Sequence, residues 1–99
     1  MRRGEVGQVD LDPVRGSEAN KTRPAVVVSN DRANDTAHRL GRGVVTVVPV
    51  TSNVDKLYPF QVLLAASAGS GLSADSKAQA EQVRSVAVQR LSRRVGRIS

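Results

Sequence analysis

Arg23 is the residue with the clearest chemical use in this chain. It ends the polar stretch Gly16-Ser17-Glu18-Ala19-Asn20-Lys21-Thr22-Arg23-Pro24, and the apolar run Ala25-Val26-Val27-Val28-Ser29-Asn30 follows at once. A glycine-punctuated loop thus delivers one guanidinium to the root of a buried strand, which fixes the backbone while the loop stays exposed. Pro24 suits the first residue of a strand, where the backbone can do without its N–H. A held guanidinium is planar, permanently charged and able to donate two parallel hydrogen bonds to a phosphate. The same group can instead close its own loop through a salt bridge to Glu18, and residue types alone leave both readings open.

Other catalytic hardware is sparse. There is no cysteine, and His38 is the single histidine, in a polar segment that reads as ordinary surface. Glu5, Asp10, Asp12, Glu18, Asp31, Asp35, Asp55, Asp75 and Glu81 are scattered without the spacing of a metal-binding loop. No glycine loop matches a phosphate-binding signature. The residues imply no cofactor. Cleavage of RNA needs neither metal nor enzyme nucleophile, because the substrate carries its own 2′-OH. A protein has only to align that hydroxyl with the phosphate and neutralise the charge that develops on the phosphoryl oxygens.

Residues suited to reading unpaired bases lie in two loops: Ser17, Glu18 and Asn20 in the first, Ser52, Asn53 and Lys56 in the second. Amides and hydroxyls reach base edges, and a lysine holds phosphate. A solvated surface explains the same residues.

These groups must be positioned by strands. Glu5 to Leu11 reads as the first, with Val6, Val9 and Leu11 apolar, and Ala25 to Ser29 as a strand buried on both faces. Asn30-Asp31 is a helix cap for a short exposed turn from Asp31 to Arg39, and Gly41-Arg42-Gly43 is a turn. Val44 to Val50 is the next strand, ending in Pro49-Val50-Thr51-Ser52-Asn53. Phe60 to Ala65 returns as a strand with Phe60, Val62 and Leu64 alternating against Gln61 and Leu63. From Ser73 to Arg94 the Ala, Gln, Glu, Lys and Arg content reads as helix by propensity.

Ninety-nine residues support one core, and a chain of this size buries roughly 65% of its unfolded surface. One Tyr, one Phe and no Trp leave the core to Val, Leu, Ile and Ala, which disfavours nucleic-acid modules that stack bases on several aromatics. Fifteen Lys and Arg against nine Asp and Glu give a net charge of +6, suited to a polyanion or a strongly acidic protein. No cysteine means no disulfide, and no apolar run reaches membrane-spanning length, so the expected location is the cytoplasm and no membrane partner is expected.

Arg3-Gly4-Glu5-Val6, Val9-Asp10-Leu11-Asp12-Pro13, Gly16-Ser17-Glu18, Arg23-Pro24, Val26-Val27-Val28-Ser29-Asn30 and Val48-Pro49-Val50-Thr51-Ser52 together resemble the MazF/PemK toxins. The matches keep family order from Arg3 to about Ser85. The resemblance implies a single toxin domain over residues 1–99, mainly β with short helices (α+β), folded as a small SH3-like β-barrel. It implies a metal-independent, sequence-specific endoribonuclease of a type II toxin–antitoxin pair that leaves 2′,3′-cyclic phosphate and 5′-hydroxyl ends.

The catalytic positions of the family fall on Arg23 and Thr51, and Gln82 and Arg84 resemble its Gln-x-Arg-Ser/Thr segment beside the RNA groove. The implied partners are single-stranded RNA, a second copy of the chain in a homodimer, and a MazE-like antitoxin whose acidic tail occupies the groove. The family pattern puts strands near Lys77 to Gln82 and Val83 to Val86 and a short helix from Val88 to Ser92. Against propensity, that pattern is the one adopted here. Two departures stand out: Gly7 replaces a usual aromatic, and the chain ends at Ser99, where relatives continue into another helix. Two alternatives follow from the same likeness. One is a gyrase-inhibiting toxin of this fold; the other is a degenerate homologue that binds RNA or antitoxin without efficient cleavage.

Overall fold

The computed structural model describes residues 1–11 and 22–98. The elements run β1 (Glu5–Asp10), β2 (Thr22–Val27), α1 (Asp31–Leu40), β3 (Val44–Thr51), β4 (Gln61–Leu64), β5 (Ser76–Gln79), β6 (Arg84–Ala87) and β7 (Leu91–Arg97). Two 3₁₀ turns, Ala80–Gln82 and Val88–Arg90, precede β6 and β7. All pairings are antiparallel, in the order β4-β5-β3-β2-β1-β7, with β6 also on β3.

The ladders do not close into a ring, so the expected barrel is an open seven-stranded sheet among the described residues. It is nonetheless rolled. β3, β2 and β1 lie between β6 and β7 in the sheet, a separation of about 19 Å if it were flat. The connection from Ala87 to Leu91 is one 3₁₀ turn, which covers about 8 Å. Only a curled sheet brings those ends together.

Alternation along the valine runs fills two cores. Val9, Ala25, Val27, Val45, Val47 and Val86 pack on one face with Ala37 of α1, while Val6, Val26, Val50, Leu64, Leu72 and Ala78 pack on the other. β2 is therefore buried on both faces, as its unbroken apolar run predicts. Met1 covers the place left by the missing aromatic: its thioether occupies the position a side chain on Gly7 would need, and it packs against the first core.

Helix α1 is fixed at both ends. Asn30 accepts the Ala33 N–H at 2.9 Å, and Gly41 ends the helix in the left-handed region, φ 65°. It is more than an exposed turn, because Asn34 and Ala37 are buried. The Asn34 amide donates to the Ser29 carbonyl at 3.0 Å, and the Ser29 hydroxyl accepts from Thr46 N–H at 3.1 Å, tying helix to β3.

Several boundaries differ from expectation. β2 is Thr22–Val27, not Ala25 to Ser29, because pairing with β1 extends it backwards through Asp10 opposite Thr22. β4 is Gln61–Leu64, and its first half departs from the expected alternation: Gln61 is buried while Phe60 and Val62 are exposed, whereas Leu63 stays exposed and Leu64 buried. The Gln61 side chain accepts from Tyr58 N–H at 3.1 Å and donates to Glu81 at 2.9 Å, so inward it satisfies two polar groups. The strand expected from Lys77 to Gln82 stops at Gln79, where the first 3₁₀ turn begins. The expected helix from Val88 to Ser92 is one 3₁₀ turn followed by β7, which pairs with β1 across two bulges. Pairing partners outweigh the helical propensity of this segment, and no C-terminal helix is present among the described residues.

Candidate active site at the fork between β2 and β3

Two prolines decide where the sheet opens. The Val28 N–H donates to the Thr46 carbonyl, and Gly4 N–H donates to the Val27 carbonyl. Alternation along β2 then turns the backbone of Val26 and Pro24 towards β3. The next donor to β3 would be that of residue 24, and proline has none. The β2–β3 register stops at Ala25 opposite Pro49. Beyond it β2 stays with β1, Arg23 opposite Val9, while β3 turns to β5, Thr51 opposite Lys77. Pro49, by the same alternation, lacks a donor on the other edge of β3, where β5 and β6 are separated by the Ala80–Gln82 turn. Pro24 is thus inside a strand rather than at its first residue, and its missing N–H opens the fork.

The fork holds a cleft of about 480 Å³ lined by Gln8, Arg23, Pro24, Val50, Thr51, Ser52 and Leu72 among others. Its far wall is the chain from Gly71 to Ser76, with Val95 of β7 behind. That wall is locked to β7 by backbone contact. A side chain on Gly71 would meet the Val95 carbonyl, one on Gly96 would meet Ser70, and Arg97 N–H donates to the Gly69 carbonyl at 2.8 Å. Gly71 also has φ +73°, which disfavours any residue with a Cβ.

Arg23 is exposed, and no ion pair or hydrogen bond engages its guanidinium among the described residues. The Thr51 hydroxyl accepts the Asn53 N–H at 3.3 Å, and its own O–H has no acceptor among the described residues and can donate into the cleft. Asn53 in turn accepts from Asp55 N–H at 3.2 Å, so the two side chains shape the turn that leaves β3. No carboxylate or imidazole lines the cleft among the described residues. It offers donors and positive charge, and these suit an anionic ligand. Nor do those residues contain a group of three or more His, Cys, Asp or Glu able to hold a metal ion.

The expected residues divide. Arg23, Thr51 and Ser52 share the cleft, with Asn53 beside it through Thr51. Ser17, Glu18 and Asn20 lie outside the described residues, and so does the alternative salt bridge from Arg23 to Glu18. The other three do not line the cleft. The Lys56 carbonyl accepts from Lys77 Nζ at 2.5 Å, Gln82 is exposed in the first 3₁₀ turn, and Arg84 donates through Nη1 to the Leu11 carbonyl at 3.1 Å. Sequence reasoning missed Gln8, whose signal was a polar residue within the first strand, opposite Pro24. It also missed Lys77, buried opposite Thr51 with Nζ 5.9 Å from the Tyr58 ring centroid.

Known proteins resemble the chain in sequence and in structure. The family model of the PemK-like, MazF-like toxin of type II toxin–antitoxin systems matches residues 2–99. Endoribonuclease MazF9 of Mycobacterium tuberculosis is 73% identical over 99 residues, covering 100% of this chain and 83% of that protein. The endoribonuclease toxin MazF of Escherichia coli is 40% identical over 84 residues, 85% of this chain and 66% of that protein. The crystal structure of MazF from Deinococcus radiodurans superposes with a TM-score of 0.75 at 26% identity, over 100% of this chain and 82% of that one. An endoribonuclease from a mycobacterial species, solved in complex with its cognate antitoxin, shares the fold with a TM-score of 0.72 at 21% identity, over 100% and 80%. A match along nearly the whole chain and a relative alike at nearly three positions in four make this chain a member of the PemK/MazF family of type II toxin–antitoxin toxins.

Proposed function

We propose that the chain, as a single toxin domain, is an endoribonuclease that cuts single-stranded RNA by attack of the substrate's own 2′-OH. The observation that carries this reading is the sharing of one cleft by Arg23, whose guanidinium has no partner among the described residues, and Thr51, whose O–H has no acceptor among them. Arg23 binds two non-bridging oxygens of the scissile phosphate, and Thr51 donates to one of them as charge develops. The 2′-oxygen forms its bond to phosphorus as the bond to the 5′-oxygen breaks. The 2′ proton leaves to water and the 5′-oxygen takes one from water, giving a 2′,3′-cyclic phosphate and a 5′-hydroxyl. With no side-chain base in the cleft among the described residues, catalysis rests on alignment and charge neutralisation.

The partners follow from this reading. A cognate antitoxin with an acidic tail competes for the same guanidinium. A second copy of the chain covers the edge beside the site, where Tyr58 and Phe60 stack at 5.5 Å and Leu57, Val62 and Leu63 are exposed. The reading places the protein in the bacterial cytoplasm, with its RNA. No helix of the described residues is long and apolar enough to cross a membrane.

The test is cleavage of a long single-stranded RNA in EDTA by the parent and by Arg23→Ala. Discrete fragments ending in cyclic phosphate are expected, with the rate falling by about 10²–10³ in the variant. A folded parent that leaves the RNA intact overturns the reading.

A further inference from the structure

We infer that Arg84 is a positioning residue that holds the strand end from which the chain departs towards Arg23, and is not itself a ligand of RNA. The inference rests on the ribonuclease reading above. β1 ends at Asp10, Leu11 is the last described residue before the chain returns at Thr22, and Asp10 pairs with Thr22. The Leu11 carbonyl lies beyond that last pair. Arg84, far away in sequence on β6, donates Nη1 to it at 3.1 Å, and Arg90 donates Nη1 to the neighbouring Asp10 carbonyl, also at 3.1 Å. Two guanidiniums on consecutive carbonyls thus hold the end of β1 in place.

Charge-assisted hydrogen bonds are the stronger kind, and a guanidinium keeps its charge at every accessible pH. The link to the cleft is short. Arg84 is paired with Val47 on β3, and Val9, two residues before Leu11, is opposite Arg23. Movement of the β1 end therefore reaches Arg23 through one cross-strand pair. The β3–β5 side of the fork repeats the device, since Lys77, opposite Thr51, donates to the Lys56 carbonyl. Arg84 and Lys77 are thus both bonded to backbone carbonyls.

The experiment compares the parent, Arg84→Gln, Arg84→Lys and the surface control Arg42→Ala. It uses a short RNA containing the parent's cut site, and the same oligonucleotide with a 2′-deoxy residue there for equilibrium binding. Hydrogen exchange at residues 8–11 and at Thr22 and Arg23 gives a readout that does not depend on activity. A positioning role predicts faster exchange at those residues in Arg84→Gln and a roughly tenfold lower kcat. It also predicts unchanged affinity for the deoxy oligonucleotide, an unchanged salt slope, and at least partial recovery in Arg84→Lys, which keeps a charged donor where glutamine keeps only a neutral, shorter one.

Loss of affinity with a log–log salt slope smaller by about 0.7, exchange being unchanged, makes Arg84 an RNA ligand and overturns the inference. Unaltered exchange and kcat overturn it as well. A parent that cuts nothing defeats the ribonuclease reading separately, and the exchange data then still decide whether Arg84 holds the strand end. Should Arg84→Gln fail to fold, Arg84→Met, which keeps an apolar stem and loses the donor, carries the same comparisons.

Discussion

Replacing Pro24 by alanine gives β2 the N–H whose absence opens the fork. Alternation aims that donor at β3, where the Val50 carbonyl continues the register that ends at Ala25 opposite Pro49. One further ladder hydrogen bond is worth about 0.5–1.5 kcal/mol. Removing proline releases the unfolded chain and costs about 0.4–1 kcal/mol. The two effects nearly cancel, so the melting temperature should move by no more than about 4–8 °C, the shift for ~1 kcal/mol in a chain of this size.

Activity should respond much more. Closing the fork by one step sets Arg23 directly opposite Thr51, at a cross-strand distance of about 4.5–5.5 Å, in the space the phosphate needs. Alanine also frees Arg23 from the extended conformation that a following proline favours. A fall in cleavage of about 10²-fold is expected, the scale of an ångström's misplacement of reacting groups. Cleavage kinetics and a thermal melt measure these two quantities, and exchange of the new amide at position 24 reports directly on the added bond. If the Pro24→Ala variant exchanges that amide as fast as an exposed one, the argument that proline holds the fork open is refuted.

Thr51→Val removes the free O–H at nearly constant volume and should lower kcat by about 10²-fold, while Thr51→Ser keeps most of the rate; equal losses would show that shape and not donation matters. Gly96→Ala drives a Cβ into the Ser70 backbone and should destabilise by about 1–3 kcal/mol, read as a lower denaturation midpoint at unchanged slope; full stability would mean the two walls are not in contact. Glu5 is held below the usual carboxylate range chiefly by the Arg2 N–H and by Arg94, and Asp31 chiefly by the Arg3 N–H and by Arg2. Both depressions favour the folded state above the ordinary carboxylate pKa, so that stability is lost as pH falls from about 4.5 downwards. Denaturant titrations at pH 6 and pH 3 test this, and Asp31→Asn should flatten the dependence.

The sequence by itself determined the strands that bury valine on both faces, because an unbroken β-branched run allows little else. It determined the ends of α1 too, where Asn30 and Gly41 supply caps their neighbours cannot. It marked Arg23 by its place between a polar loop and a buried run, and Thr51 only through likeness to a family. Tertiary structure decided everything that depends on partners distant in the chain. Leu91–Arg97 is a strand because β1 offers it an edge, and no local pattern reports that. Gln61 turns inward and Phe60 outward because Tyr58 and Glu81 need hydrogen bonds there. Met1 covers Gly7 from six residues away. Arg84 and Lys77 differ from a solvated cation only in which carbonyl is within reach, and the curl of the sheet sets that. Pro24 was legible as a residue without a donor; that the lost bond would open a cleft between Arg23 and Thr51 required the register of three strands.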